Sequence, residues 1–94
     1  MPFRRPPRDR LAGFRRSPAL TIRWATPADA SRLATLAELD DARVPPAPVL
    51  LAWVGDELWV ARSLRTGAVI SNPFRPSAEV ATLVQERGRQ LSAP

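Results

Sequence analysis

The sequence contains no cysteine, no histidine, no lysine and no tyrosine. Without cysteine there is no disulfide and no thiol nucleophile. Without histidine, most zinc sites and every acid–base device built on imidazole are excluded. The redox compartment is left open by the same absence. No apolar run approaches the roughly 20 residues that a membrane-spanning helix needs. Near the start, Pro6, Pro7, Arg8, Asp9 and Arg10 interrupt any stretch that could form the core of a signal peptide, so a cytoplasmic protein is expected. With 94 residues the chain has room for one domain with one modest core, and a two-domain enzyme is excluded.

What is present is arginine and proline. All 14 basic residues are Arg, a bias explained more simply by GC-rich coding than by selection for phosphate forks. The formal charge of +5 is concentrated at one end: Arg4, Arg5, Arg8, Arg10, Arg15 and Arg16 stand against Asp9 alone, and the rest of the chain is neutral. Residues 1–18 are broken by proline and poor in apolar side chains, which predicts a disordered basic tail ahead of a folded domain over residues 19–92. Such a tail is suited to phosphate backbones or an anionic surface through counterion release, or is simply a solvated extension; no interleaved aromatics suggest base stacking.

After Pro18 the pattern changes. Residues 19–24 alternate with β-branched and aromatic side chains, as a short strand does. Thr26, Pro27 and Asp29 then form a helix start, with a capping hydroxyl, a proline at the first helical position and an acid at the positive dipole end. The spacing predicts a helix from Pro27 to about Asp41 that buries Ala30, Leu33, Leu36 and Ala37, with Leu39 widening the face and Arg32, Glu38 and Asp40 outward. The proline block at residues 44–48 is expected to end it.

Val49 to Val54 is apolar on both alternating faces and reads as a central strand covered on two sides. Gly55-Asp56 suits a two-residue hairpin turn into a returning strand, Leu58 to Leu64. There Arg62 and Ser63 interrupt the two faces, which suggests that this end approaches solvent or a groove. A turn at Arg65-Thr66-Gly67 leads to a third strand of the meander, Ala68 to Ser71. Trp53 and Trp59 are read as core or sheet-face packing. A last helix is expected with Ser77 as cap, Glu79 in the first turn, a stripe of Val80, Leu83, Val84, Arg87 and Leu91, and a weakening Gly88. The fold expected is α+β: one small β-α-β-β-β-α domain with a mostly antiparallel four-stranded sheet and two helices.

This order, with Thr21-Ile22-Arg23-Trp24-Ala25-Thr26-Pro27-Ala28-Asp29-Ala30 at its start and the hairpin from Val49 to Leu64, resembles the amino-terminal half of the GNAT superfamily of N-acetyltransferases. The first stretch is similar to the family's "IRxATPxDA" opening. The likeness covers roughly residues 20 to 91 and is degenerate. In that family the loop after the fourth strand follows a Q/R-x-x-G-x-G/A pattern whose amides, with the next helix, hold the pyrophosphate of acetyl-CoA. The matching stretch here is Asn72-Pro73-Phe74-Arg75-Pro76-Ser77-Ala78-Glu79, with Arg75 in the basic position and Ser77 and Ala78 where amides are needed. Both glycines are missing, Pro76 lacks an N–H, and Glu79 adds negative charge. Gln85-Glu86-Arg87-Gly88 fits half the pattern but falls inside the last helix, as chance would place it. Family members continue with a fifth strand, a further helix and commonly a tyrosine acid, whereas this sequence stops at Pro94.

The resemblance therefore implies a truncated acetyltransferase-like domain that has lost catalysis and acts as a binding or dimerisation module, pairing at the open sheet edge after Ser71. Two other classes stand beside it: a residual acetyl-CoA-binding N-acetyltransferase completed by a dimer or partner, with Arg75, Ser77 and Ala78 as cofactor contacts, and a nucleic-acid accessory protein led by the arginine tail. Glu38, Asp40 and Asp56 are the carboxylates that could be weighed as a base; each is read as a solvated surface acid, and no catalytic residue is assigned.

Overall fold

The computed structural model describes residues 19–92. The arginine-rich segment, expected to be a disordered tail, lies outside the described residues. The elements run β1 (Leu20–Trp24), a 3-10 turn (Pro27–Asp29) leading into α1 (Ala30–Leu39), β2 (Val49–Val54), β3 (Glu57–Ser63), β4 (Val69–Ser71) and α2 (Ala78–Ser92). The architecture is α+β, with one antiparallel sheet in the order β1-β2-β3-β4 and two helices. Helix α1 packs over β3 and β4 on one face, and α2 packs over β2 and β3 on the other. Neither helix is centred on β1.

The core forms two layers, one on each face of the sheet. Leu33, Leu36 and Ala37 of α1 meet Val49, Leu51, Leu58, Ala61 and Ile70, whereas Val84 of α2 meets Leu50, Ala52 and Val60. Residues 49–52 are all buried, as a strand covered on both faces requires. Strict alternation fails at one point in β3. Ala52 pairs with Val60 but Trp53 pairs with Leu58, which leaves Trp59 as an extra, bulged residue. Trp59 and Val60 consequently both face α2, while Leu58 and Ala61 both face α1. The β2–β3 turn is the expected Gly55-Asp56, with Gly55 at φ 65°, a conformation that costs glycine nothing.

Several expectations are corrected by local chemistry. Helix α1 ends at Leu39, before the proline block, because Asp41 turns left-handed (φ 52°) and the Ala42 amide bonds back to the Ala37 carbonyl at 2.8 Å. Aspartate tolerates this backbone better than most side chains. Ala30 and Leu39 are exposed, so the buried stripe is narrower than the periodicity implied. Ser63 is fully buried and does not approach solvent. Its hydroxyl accepts the Arg65 and Thr66 amides, each at 3.1 Å, and so organises the β3–β4 turn.

In α2 the inward positions are Val80, Ala81, Val84 and Gly88, while Leu83 and Leu91 are 46% and 47% exposed and Arg87 is exposed. The helix turns Gly88 inward because the Arg62 guanidinium lies where a side chain at 88 would go. Among the described residues, no helix is long and apolar enough to cross a membrane.

Candidate functional site

The junction between β4 and α2 is a loop that satisfies itself. The buried Asn72 extends the ladder through its amide, which donates to the Trp59 carbonyl at 2.8 Å. Its side-chain Oδ1 accepts the Phe74 amide at 2.8 Å, the turn that asparagine commonly forms with the residue two ahead. Its carbonyl accepts the Arg75 amide at 3.3 Å and the Ser77 hydroxyl at 3.0 Å. The Ser77 amide donates to the Arg75 carbonyl at 2.8 Å, and the Ser77 carbonyl accepts the first helical bond, from Ala81, at 2.8 Å. Ser77 thus stands where a cap is expected, but its hydroxyl donates back into the loop. Ala78 is exposed at the first position of α2.

Arg75 is held in a fork-to-fork pair with Glu57, Nε to Oε1 at 2.7 Å and Nη2 to Oε2 at 2.9 Å. Glu57 Oε1 also accepts the Trp59 indole N–H at 2.8 Å. Hydrogen bonds from Arg75 and then Trp59 lower the Glu57 carboxyl to about 2, and the same pair raises the Arg75 guanidinium above its ordinary value. The structure therefore brings Arg75, Ser77 and the start of α2 together, with a carboxylate already on the guanidinium. The six tail arginines, Arg4, Arg5, Arg8, Arg10, Arg15 and Arg16, lie outside the described residues.

A groove of about 540 Å3 runs beside the junction, between α1 and the β2–β3 hairpin, and is bordered by Arg32, Leu36, Leu39, Asp56, Glu57 and Asn72. A second, of about 530 Å3, lies under the proline segment and is lined by apolar groups such as Ala25, Ala30, Leu33, Val44 and Pro45. Of the three carboxylates weighed as bases, Glu38 is exposed on α1 and Asp56 sits exposed on the hairpin turn, where its carbonyl accepts Arg32 Nη1 at 3.1 Å. Asp40 is half-buried, not outward, and its Oδ2 accepts the Ser71 amide at 3.0 Å. Among the described residues, no group of three or more His, Cys, Asp or Glu could hold a metal ion.

The densest polar cluster was missed by sequence reasoning, which gave Asp29 only a helix-dipole role. Asp29 is 6% exposed. It accepts both arms of Arg23 at 2.9 Å and the Thr26 amide at 2.7 Å, and these contacts hold its carboxyl well below the usual carboxylate range. Arg23 and Arg32 both lie over the Trp53 ring, 5.1 and 5.5 Å from its centroid. The available signal was an arginine on one strand face, six residues ahead of an acid at a helix start. This cluster ties β1 to the beginning of α1.

Compared with protein-family models, curated proteins and solved structures, the chain matches none. The acetyltransferase likeness therefore rests on the sequence motifs alone.

Proposed function

We propose that this chain is an acetyltransferase-like domain without transfer activity, a binding module that works by associating with another protein chain. The observation that carries the reading is the closed junction. Arg75, the cation that the resemblance would assign to phosphate, is engaged at both ends of its fork by Glu57. The Ser77 hydroxyl and amide are bonded within the loop. A pyrophosphate arriving here would have to displace a carboxylate, without glycines to bring backbone amides close.

Thermal unfolding with acetyl-CoA tests the reading. Ligand at a hundredfold excess over its dissociation constant adds about 2.7 kcal/mol. At roughly 4–8 °C per kcal/mol for a domain of this size, the melting temperature would rise by more than about 10 °C. No shift at millimolar acetyl-CoA is expected, and a saturable rise overturns the proposal.

One feature favours a second reading, residual acetyl-CoA binding completed by a partner. The amides of Ala78, Glu79 and Val80 meet no acceptor among the described residues and sit at the positive end of a 15-residue helix. On this reading Glu57 competes with phosphate for Arg75. Repeating the titration with Glu57→Gln should then reveal binding that the native protein masks, and a flat response in both proteins removes the alternative.

A further inference from the structure

The two edges of the sheet are built differently. On β4, bonds from the Ser63 amide to the Ala68 carbonyl (2.9 Å) and from the Asn72 amide to the Trp59 carbonyl (2.8 Å) turn alternate residues toward β3, so Val69 and Ser71 face outward. The outward Ser71 amide is occupied by Asp40 Oδ2 at 3.0 Å. A side-chain carboxylate therefore closes part of this three-residue edge, the one expected from sequence to pair with another chain.

On β1 the Gly55 amide bonds to the Ala19 carbonyl (2.9 Å) and the Ala25 amide to the Val49 carbonyl (2.8 Å), which turns the odd-numbered residues inward. Leu20, Ile22 and Trp24 direct their backbone groups to the open side. Among the described residues nothing accepts from these three amides, and the only group reaching the row is Arg23 Nη1, on the Trp24 carbonyl at 3.0 Å. Their side chains share the α2 face of the sheet, where Leu20 and Trp24 are 42% and 43% exposed. Alongside runs a groove of about 350 Å3 walled by Leu83, Glu86, Arg87 and Gln90.

We infer that β1 is the seam of a homodimer, in which two copies pair antiparallel about a twofold axis through Ile22 and join their four-stranded sheets into one. The inference rests on the binding-module reading and deepens it by naming the partner as a second copy. The outward residues are symmetric about Ile22. An antiparallel copy therefore sets Ile22 against the partner's Ile22 and Leu20 against the partner's Trp24, with each outward N–H opposite a carbonyl.

Charge fits as well. Arg23 falls opposite the partner's Thr21 and is already neutralised by Asp29 at 2.9 Å. The twofold places the two α2 helices on the same face of the joined sheet, one on each side of the seam. There each groove wall carries an acid and a base side by side, Glu86, which also reaches Arg89 of its own helix at 4.0 Å, and Arg87. An unrelated extended peptide would satisfy the backbone row only; a second copy also sets the exposed apolar Leu20 and Trp24 against each other.

Light scattering after size exclusion on the full chain, from micromolar to millimolar, should show the 10.4 kDa chain passing to twice that mass. Two double variants read the register. Leu20→Lys with Trp24→Lys sets like charges directly opposite at both ends of the seam and should weaken association about 100-fold or more. Leu20→Glu with Trp24→Lys removes the same apolar groups but sets opposite charges across the axis, and should associate at least about 10-fold more tightly than the double lysine variant. Circular dichroism on both checks that the fold is kept.

A monomer at every concentration overturns the inference, as does equal association by the two variants. Protection of the Ile22 amide from exchange in dilute monomer also overturns it, by giving the edge to another part of the same chain. A monomer that ignores acetyl-CoA leaves the module reading standing, whereas a dimer stabilised by acetyl-CoA removes that reading and keeps the seam.

Discussion

Replacing Gly88 by alanine should destabilise the native protein and stabilise it once Arg62 has been removed. A Cβ at position 88 falls 2.5 Å from the Arg62 Cζ and 2.7 Å from Nε, and closer still to Nη1. Alanine gains about 1 kcal/mol over glycine in a helix interior. Against this stands overpacking, generally about 1–3 kcal/mol and about 1.5–2 kcal/mol here, because the obstructing group belongs to a flexible side chain but is met from its Nε to its Nη1. The net effect is a loss of roughly 0.5–1 kcal/mol. In an Arg62→Ala background the clash is gone and the gain of about 1 kcal/mol remains. The double-mutant cycle should therefore show a coupling of about 1.5–2 kcal/mol. Urea unfolding of the four proteins, followed by tryptophan fluorescence, measures it. If alanine at 88 stabilises both backgrounds equally, within about 0.5 kcal/mol, Arg62 does not pack on Gly88 and the account of why α2 turns this face inward is wrong.

Three further outcomes follow from the polar contacts. Asp40→Ala leaves the Ser71 amide without its acceptor and should cost about 1–2 kcal/mol, with faster hydrogen exchange at Ser71; unchanged exchange refutes the edge closure. Ser63→Ala removes a fully buried hydroxyl that accepts two turn amides, and should cost about 1–3 kcal/mol in denaturant unfolding, whereas a neutral result would mean the turn holds without it. Glu57 has its folded carboxyl at about 2 against an ordinary 4.5, so its contribution is present above about 4.5 and is lost as pH falls toward about 2. Melting temperatures should decline more steeply over that range for the native protein than for Glu57→Gln, and parallel curves would contradict the pairing with Arg75.

The parts of the fold legible in sequence are those set by neighbours along the chain. The apolar run at 49–54 gives a doubly covered strand, Gly55-Asp56 gives the hairpin, and Thr26-Pro27 gives a 3-10 turn leading into α1, with the Thr26 hydroxyl donating to Asp29 rather than capping, because each depends on residues within one or two turns of backbone. The bulge at Trp59 left no such trace. It shifts the facing of Trp59 and Val60 relative to Leu58, and nothing local distinguishes it from regular alternation. In sequence Gly88 reads only as a weak helix residue, since the arginine that needs the space lies 26 positions earlier, on β3.

The carboxylates follow the same logic, and they bear on function. By residue type alone Asp40 reads as a solvated surface acid, and Glu57 has no place in the junction. Asp40 meets an amide 31 residues away and Glu57 a guanidinium 18 residues away. Separations of that size fall outside any helix or hairpin periodicity, so residue type alone could not reveal them. Both contacts alter the functional reading in the same direction. Glu57 removes the free cation from the position that most resembled a phosphate contact, and Asp40 obstructs the sheet edge that most resembled a pairing surface. The edge left without such a carboxylate is β1, whose exposed apolar residues alternate with Thr21 and an arginine already neutralised by Asp29. A strand in that state is a liability for a monomer and an interface for a dimer.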